Sequence, residues 1–329
     1  MIRTILGLAL ATAFAVPALA EPAVIYDNGG KFDKGFNESA FNGAAKWAKE
    51  VGKKFHEFEI QTEPQREQSL RNFARKGYNP IITIGFNQAP ALGIVAKEFP
   101  KINFAIIDSV VDLPNVRSIT FKENEGSYLV GVVAALSTKT SKVGFVGGMD
   151  VPLIRKFACG YVEGVKSVDA KIEVFQNMTG TTPSAWNDPV KAGELAKSQF
   201  DQGADVVYAA AGGSGLGVLQ AAADLGKLSI GVDSNQNGLH PGSVLTSMLK
   251  RVDVAVYQTL KDGTEKGKWT SGVWTLGLNE DGVGWALDDN NKKLITDDIK
   301  TKVDKASADI KSGAVKVHDY TTDNACPAS

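Results

Sequence analysis

The chain has 329 residues, and its 36 basic side chains (Lys and Arg) nearly balance its 37 acidic ones. Proteins that bind nucleic acid or an anionic membrane surface through charge carry a positive excess, so this balance predicts no nucleic-acid partner. The length and a hydrophobic content of 43% predict about two globular domains with an ample core.

The first 20 residues predict an export signal. Arg3 precedes an apolar run at 5–16, and residues 18–20 (Ala-Leu-Ala) have the small-x-small pattern of a cleavage site. The run is shorter than the roughly 20 apolar residues that cross a bilayer, and no later segment reaches that length. We therefore expect a periplasmic protein. A lipid anchor would need Cys at position 21, which is Glu21, so we expect none; a buried N-terminal helix is the alternative interpretation.

After the export signal, short apolar runs alternate with helical patterns, which is typical of βαβ units around parallel sheets. The first set comprises predicted strands at 23–27, 55–60, 80–85, 103–108 and 116–121, with helices at 36–50, 64–76 and 89–98. The second set comprises predicted strands at 142–148, 171–177, 204–210, 228–233 and 243–249, with helices at 152–168, 189–202 and 216–225.

Two sheets of about five strands are predicted, because a doubly wound sheet rarely extends to ten strands without splitting. Beyond Lys250 the pattern changes to a helix at 252–260, a Gly/Trp-rich stretch at 267–289 and a late helix at 296–310. We expect two discontinuous lobes that leave a cleft between them. The predicted division is 1–20 signal peptide, 21–125 with about 250–270 for lobe 1, 126–249 with about 271–318 for lobe 2, and 319–329 as a tail.

Candidate ligand-binding residues lie where the predicted strands end, since parallel sheets bind ligands outside the carboxyl ends of their strands. Asp27 and Asp233 each end a predicted strand, and Phe86 directly follows another. Gly213 lies in a glycine-rich turn between a predicted strand and a helix. Lys250 follows the last strand of the second set, near the predicted crossing between lobes.

The glycine-rich turn has two interpretations. Gly213, Gly215 and Gly217 match G-x-G-x-G, but Val218 occupies the last position of the dinucleotide fingerprint, which is therefore incomplete. Asp233 lies 20 residues after Gly213, where related folds place an acid on a ribose diol. The glycines predict either a phosphate-binding loop or a tight turn with close helix packing.

Two aromatic side chains could stack on a flat heterocycle. Phe36 opens the first predicted helix beside Asn37, and Trp186 lies in the loop before Pro189. Base stacking on such rings contributes roughly 1 to 3 kcal/mol per base. The alternatives are a core position for Phe36 and a hydrophobic staple on the following helix for Trp186.

Catalytic and metal-binding patterns are missing from the sequence. His56, His240 and His318 lack metal-ligand spacing, and neither G-x-S-x-G nor H-E-x-x-H occurs. We therefore expect no catalytic residue, no metal and no cofactor. Cys159 lies in a predicted helix and Cys326 in the tail, so the two form a disulfide or Cys159 is a buried free thiol.

Several sequence blocks resemble the basic membrane protein (BMP) family, the purine-nucleoside receptors of bacterial ABC importers. The blocks begin with DNGGKFDKGFNESAFNG at 27–43 and continue at 85–108, 121–150, 203–217, 231–236 and 244–256. The resemblance implies a type I periplasmic-binding-protein fold in class α/β, with two doubly wound parallel-sheet lobes and a ligand cleft between them. Two departures are Gly35, where many members have Ser, and the absence of the lipoprotein Cys.

The resemblance also implies roles for individual residues. Phe36 would stack on the base, Asp27 and Asn37 would hydrogen-bond the ligand, and Asp233 and Lys250 would bind the ribose hydroxyls. Phe86 and Gly213 match family blocks near the cleft.

We expect a monomeric periplasmic receptor that binds a nucleoside and delivers it to an ABC permease in the inner membrane. One alternative ligand is riboflavin or another flat hydroxylated heterocycle. The sequence is also compatible with an exported nucleoside-processing enzyme and with a sensor that presents its liganded form to a signalling partner.

Overall fold

Two six-stranded sheets organise the protein in a computed structural model that describes residues 20–328. The predicted export signal, apart from Ala20, lies outside the described residues. Along the first half of the chain the elements are β1 (Ala23–Tyr26), α1 (Phe36–Val51), β2 (His56–Glu59), α2 (Pro64–Arg75), β3 (Ile81–Thr83), α3 (Ala89–Glu98), β4 (Phe104–Ile107), β5 (Val116–Phe121), α4 (Glu123–Ser137), β6 (Lys142–Met149) and α5 (Pro152–Val168).

The second half continues with β7 (Glu173–Gly180), α6 (Pro189–Asp201), β8 (Val206–Ala210), α7 (Gly215–Asp224), β9 (Leu228–Asp233), β10 (Val244–Lys250), α8 (Val252–Thr264), β11 (Gly272–Leu276), β12 (Val283–Trp285) and α9 (Asp297–Ser312). Short 3₁₀ turns follow β3, β7 and β8, and another lies in the tail.

The first sheet has the strand order β11-β5-β4-β3-β1-β2, and every pair in it is parallel. Its central strands β1, β3 and β4 read AVIY, IIT and FAII and are buried throughout. Such continuous apolar runs are expected where helices cover both faces of a parallel sheet. The carboxyl ends of these strands therefore point to one edge, which faces the second lobe.

The second sheet has the order β12-β10-β9-β8-β6-β7 and is parallel except for β12, which runs antiparallel to β10. The predicted fold class, two doubly wound α/β lobes with a cleft between them, is confirmed by this architecture. The structure adds one strand to each predicted sheet, because β11 and β12 lie in the Gly/Trp-rich stretch that showed no strand pattern.

The chain passes between the two sheets three times: from β5 to α4, from β10 to α8 and from β11 to β12. The predicted boundary at 271 needs a correction. β11 pairs with β5 in the first sheet, with Gly272 opposite Arg117, so residues 272–276 belong to lobe 1. Helix α4 begins at Glu123, in a stretch where the sequence pattern assigned no element, and it packs on α5 in lobe 2.

The two cysteines form a disulfide, which is one of the two predicted alternatives. Cys159 in α5 is bonded to Cys326 in the tail, with the two Cα atoms 5.5 Å apart. The backbone N–H of His318 also donates to the carboxylate of Glu163 at 3.1 Å. The tail is thereby attached to α5 of lobe 2. No helix within residues 20–328 has both the length and the apolar character needed to cross a membrane.

Candidate ligand-binding cleft

A cleft lies between the lobes, at the carboxyl ends of both sets of parallel strands. It encloses about 620 Å³ of space not occupied by atoms, counting space open to solvent. Every residue predicted to bind ligand lines it: Asp27, Phe36, Asn37, Phe86, Trp186, Gly213, Asp233 and Lys250. Their roles in binding stay predictions, whereas their placement around one cleft is a property of the fold.

The loop between β1 and α1 forms the lobe-1 wall and is ordered by Asp33. The Asp33 carboxylate accepts hydrogen bonds from the backbone N–H groups of Gly35 at 2.9 Å, Asn37 at 2.9 Å and Glu38 at 3.1 Å. These N–H groups at the helix start have no partner within the helix, and a carboxylate also suits the positive end of the helix dipole. Asp33 therefore fixes the point at which α1 begins and Phe36 enters the cleft.

Asn37 stabilises the same loop through hydrogen bonds to its backbone. Its side-chain NH₂ donates to the carbonyl oxygens of Asp27 and Gly30, both at 3.2 Å, and its Oδ1 accepts from the backbone N–H of Asp27 at 3.2 Å. Both donor hydrogens are thus used within the loop, which leaves one lone pair of Oδ1 for any other partner. With both donor hydrogens used, Asn37 can offer a ligand only a hydrogen-bond acceptor. Its main contacts position Asp27.

Asp27 directly follows β1 and is paired with an arginine that sequence reasoning missed. Arg66, whose side chain is 2% exposed, lies 2.5 Å from Asp27 Oδ1 and 2.6 Å from Asn28 Oδ1. The NH₂ of Asn87 donates to Asp27 Oδ2 at 3.1 Å. A signal for Arg66 existed: it lies at helical spacing from Leu70, on the buried face of α2.

Aromatic rings from both lobes border the cleft. Phe36 is half-buried: it lines the cleft and also packs against the hydrophobic core. Phe86 of lobe 1 and Trp186 of lobe 2 meet edge to face, with ring centroids 6.4 Å apart and planes at 72°. The two lobes therefore touch at this aromatic pair.

The glycine-rich turn supports Trp186. Gly212 has φ +55°, and a Cβ on it or on Gly213 would lie 3.6 or 3.2 Å from Trp186 atoms. The hydroxyl of Ser214 donates to the Ala185 carbonyl at 2.8 Å and accepts from the backbone N–H of Asp188 at 2.6 Å. These contacts favour the tight-turn interpretation over a phosphate-binding loop.

Lys250 occupies the inner end of the cleft, where the chain crosses between lobes. Its side chain is 2% exposed, and its Nζ lies 2.6 Å from Asp108 Oδ2 and 3.1 Å from Glu123 Oε1. Glu123 also pairs with Lys156 at 3.1 Å, and Lys156 reaches Asp319 of the tail at 3.2 Å. A buried chain of alternating charges thus connects the cleft to the tail.

Opposing effects act on the pKa values of Lys250 and Asp108. Burial alone lowers the pKa of Lys250, but attraction to Asp108, Glu123 and Asp233 outweighs burial and raises it. Burial raises the pKa of Asp108, and Lys250 offsets part of that rise. Lys250 Nζ also lies 5.1 Å from the centroid of the Phe36 ring, close enough for a cation–π interaction. Lys250 therefore stays charged at neutral pH.

Asp233 ends β9 on the lobe-2 side and has no hydrogen bond to its carboxylate within residues 20–328. Its backbone has φ +65°, a conformation that short polar side chains tolerate best. Burial raises its pKa to about 7, and Lys250 offsets only part of that rise. A buried carboxyl without a donor is an acceptor available to a ligand.

The lobes are linked by two hydrogen bonds beside Asp233. The hydroxyl of Ser234 donates to the Gly35 carbonyl at 3.0 Å, and the Gln236 NH₂ donates to the Lys34 carbonyl at 3.0 Å. A Cβ on Gly35 would lie 3.6 Å from Asp233 Oδ2, so the Gly35 departure lies directly at the lobe contact. Sequence reasoning missed Glu123, Ser234 and Gln236 as site residues, because their partners lie on distant parts of the chain.

No cluster of three or more His, Cys, Asp or Glu side chains among residues 20–328 is arranged to hold a metal ion. The arrangement offers half-buried rings, hydrogen-bond acceptors and one buried cation. Such a site suits a flat ligand with hydroxyl and N–H groups.

Comparison with known proteins identifies the family of this chain. Residues 20–320 match the Bmp family model, described as ABC transporter substrate-binding protein PnrA-like. The chain is 36% identical over 318 residues to the ABC transporter nucleoside-binding protein BmpA of Lactococcus lactis subsp. cremoris, covering 90% of this chain and 88% of that protein. It is 34% identical over 292 residues to Basic membrane protein D of Borreliella burgdorferi, covering 87% and 84%.

Among solved structures, an ABC transporter system solute-binding protein from Aeropyrum pernix K1 superposes with a TM-score of 0.83 at 30% identity, covering 91% of this chain and 93% of that one. The predicted family is therefore confirmed. The chain belongs to the Bmp family of ABC transporter substrate-binding proteins.

Proposed function

We propose that this protein binds a nucleoside, most favourably a purine nucleoside, between its two lobes and delivers it to the permease of an ABC importer. The observation that carries the proposal is the half-buried Phe36 ring, which faces a cleft with Asp233 and Lys250 at its inner end. A ring platform binds the base, and a carboxylate with a lysine binds the sugar hydroxyls. The relative BmpA, named as a nucleoside-binding protein, supports the same ligand class.

The charge of the cleft favours a ligand without phosphate. Asp27, Asp33, Asp108 and Asp233 all line the cleft, and Lys250 is the one cation among the described residues that line it. A phosphate group requires converging cations, and carboxylates repel it. Nucleosides therefore suit the site better than nucleotides.

Delivery follows from closure of the lobes. The ligand stabilises the closed arrangement because it contacts both walls at once, and the permease then distinguishes closed from open receptor. We further propose that the protein works as a monomer in the periplasm.

Titration calorimetry with inosine, guanosine, adenosine and cytidine tests the proposal. We expect Phe36→Ala to weaken purine-nucleoside binding by about tenfold to a hundredfold, the equivalent of one lost stacking contact. Phe32→Ala is the matched control, because Phe32 lies on the same loop with its side chain 60% exposed and does not line the cleft. Its affinity should equal that of the unmodified protein.

Three results would overturn the proposal. Purified protein that is yellow and releases riboflavin would establish the flavin alternative, and turnover of a nucleoside to base and sugar would establish an enzyme. Equal affinity of Phe36→Ala and the unmodified protein would remove Phe36 from the site.

A further inference from the structure

The Asp27 carboxylate has a nearly complete set of partners within the chain. Its Oδ1 accepts from Arg66 Nη1 at 2.5 Å and from the backbone N–H of Asn28 at 2.9 Å. Its Oδ2 accepts from the NH₂ of Asn87 at 3.1 Å. A carboxylate has about four acceptor positions, so one position remains, and it is on Oδ2.

The Asp27 side chain packs closely against Gly85, and both residues line the cleft. A Cβ on Gly85 would lie 2.6 Å from Oδ2, so a residue with a side chain would not fit at this position. Gly85 has φ +96°, which favours glycine, and this conformation lets the β3 end approach so closely. Asp27 and Asn28 line the cleft, whereas Arg66 lies behind them and does not.

All three guanidinium nitrogens of Arg66 donate hydrogen bonds. Its Nε donates to Glu63 Oε2 at 2.9 Å and its Nη2 donates to Asn28 Oδ1 at 2.6 Å, in addition to the contact with Asp27. The planar guanidinium thus orients two cleft side chains at once, which the flexible ammonium of a lysine does not do. Arg66 Nη1 donates to Asp27 Oδ1, so this contact uses the Asp27 side chain as a hydrogen-bond acceptor.

We propose that Arg66 is a positioning residue that presents Asp27 as a single fixed acceptor, and that this acceptor selects bases carrying an N–H donor on the edge facing it. The inference rests on the proposed function and adds a reason for base selectivity. Inosine presents such a donor at N1, whereas purine riboside has the same ring system and sugar without any N–H on its base. Discrimination between these two nucleosides is therefore the quantity that Arg66 controls.

Calorimetry with inosine and purine riboside tests the inference. We expect the unmodified protein to bind inosine about tenfold to a hundredfold more tightly, as for one hydrogen bond to a charged group. Arg66→Met should reduce this ratio to within about twofold of unity, and Arg66→Lys should give an intermediate ratio because it restores charge without the planar fork. Arg71→Met is the matched control on the same helix; Arg71 pairs with Glu98 at 2.7 Å on the surface, and its ratio should not change.

A double-mutant cycle separates positioning from a general structural role. If Arg66 acts through Asp27, Asp27→Asn alone removes the discrimination, and adding Arg66→Met to it changes the ratio by less than about twofold. Thermal unfolding of each variant shows whether it folds. Should Arg66→Met fail to fold because Asp27 is left buried without a counter-charge, Arg66→Lys supplies the readout, with an inosine to purine riboside ratio between that of the unmodified protein and unity.

The outcomes distinguish the proposed function from the role of Arg66. If the unmodified protein binds neither nucleoside, the proposed function fails. If it binds inosine but discriminates equally well with Arg66→Met or Arg66→Lys, the proposed function stands and the role of Arg66 is overturned. Equal affinity of the unmodified protein for both nucleosides overturns that role as well.

Discussion

The two walls of the cleft present their carboxylates in opposite states. On the lobe-1 side, Asp27 is paired with Arg66 and bonded to Asn87 before any ligand arrives. On the lobe-2 side, Asp233 is buried without a hydrogen-bond donor in residues 20–328, and burial raises its pKa to about 7. Asp27 has all but one of its acceptor positions filled within the chain, whereas we propose that Asp233 gains its partner from the ligand.

This difference suggests how the two walls share the free energy of ligand binding. The preorganised wall loses little freedom on binding and therefore contributes selectivity. The wall containing Asp233 gains its missing partner when ligand binds, so its contribution favours the closed arrangement. Three substitutions break or sharpen this comparison, in order of decreasing effect.

The largest effect is expected from Lys250→Met, which removes the cation nearest to the lobe-2 acid. Asp108 would then remain buried without its ion-pair partner, while Glu123 keeps Lys156. Breaking a buried ion pair in this way costs about 3 to 5 kcal/mol of stability. Urea unfolding measures the loss, and calorimetry should detect no nucleoside binding. Lys300→Met is the control, because Lys300 pairs with Asp304 on the exposed face of α9. An unchanged unfolding midpoint for Lys250→Met would contradict the comparison.

An intermediate effect is expected from Asp233→Asn as the pH changes. Burial raises the pKa of Asp233 from 3.8 to about 7, against the attraction of Lys250. Repulsion from Asp33, Asp108 and Glu123 adds to the rise. The unfolded chain releases this proton near pH 4, while the folded protein keeps it until about pH 7. The folded state binds more protons in this window, so its stability falls as the pH rises.

Asparagine has no proton to lose, so the variant lacks this part of the pH dependence. Between pH 4 and pH 8, the free energy of unfolding of the unmodified protein should fall by roughly 2 to 4 kcal/mol more than that of Asp233→Asn. Urea titrations at one-unit pH steps measure both curves. Asp289→Asn is the control, with a side chain that is 92% exposed. Parallel curves for Asp233→Asn and the unmodified protein would show that Asp233 is not a proton-holding group.

The smallest effect is expected from Ser234→Ala, which removes one hydrogen bond between the lobes. The hydroxyl donates to the Gly35 carbonyl at 3.0 Å, and losing such a bond costs about 0.5 to 1.5 kcal/mol. Because this bond exists when the lobes touch, nucleoside affinity should fall by about twofold to tenfold. Thr322→Ala is the control, since that hydroxyl bonds within the tail. A larger loss of affinity with Thr322→Ala than with Ser234→Ala would contradict this role.

The sequence predicted the lobe architecture and the cleft residues for one physical reason. Buried parallel strands appear as apolar runs, and the residue that ends each run lies at the ligand-facing edge of the sheet. Asp27 and Asp233 were found in this way. Phe36 and Asn37 were found because the glycine-broken loop before them marks the start of α1.

The features that sequence reasoning missed depend on contacts between distant residues. Arg66 reaches Asp27 across 39 positions. The Cys159–Cys326 bond, which the sequence left as one of two alternatives, spans 167. Neither separation along the chain produces a periodic sequence pattern that would indicate the contact. β11 has mostly exposed side chains, so it shows no apolar run, and only its pairing with β5 identifies it as a strand of the first sheet.

The three crossings of the chain have a consequence for how this protein can change over evolutionary time. Each lobe is assembled from separate stretches, and β11 and β12, the last strands of the two sheets, follow one another directly. A recombination event at any single point therefore divides at least one sheet between two parents. A single crossover therefore cannot exchange a whole lobe between relatives.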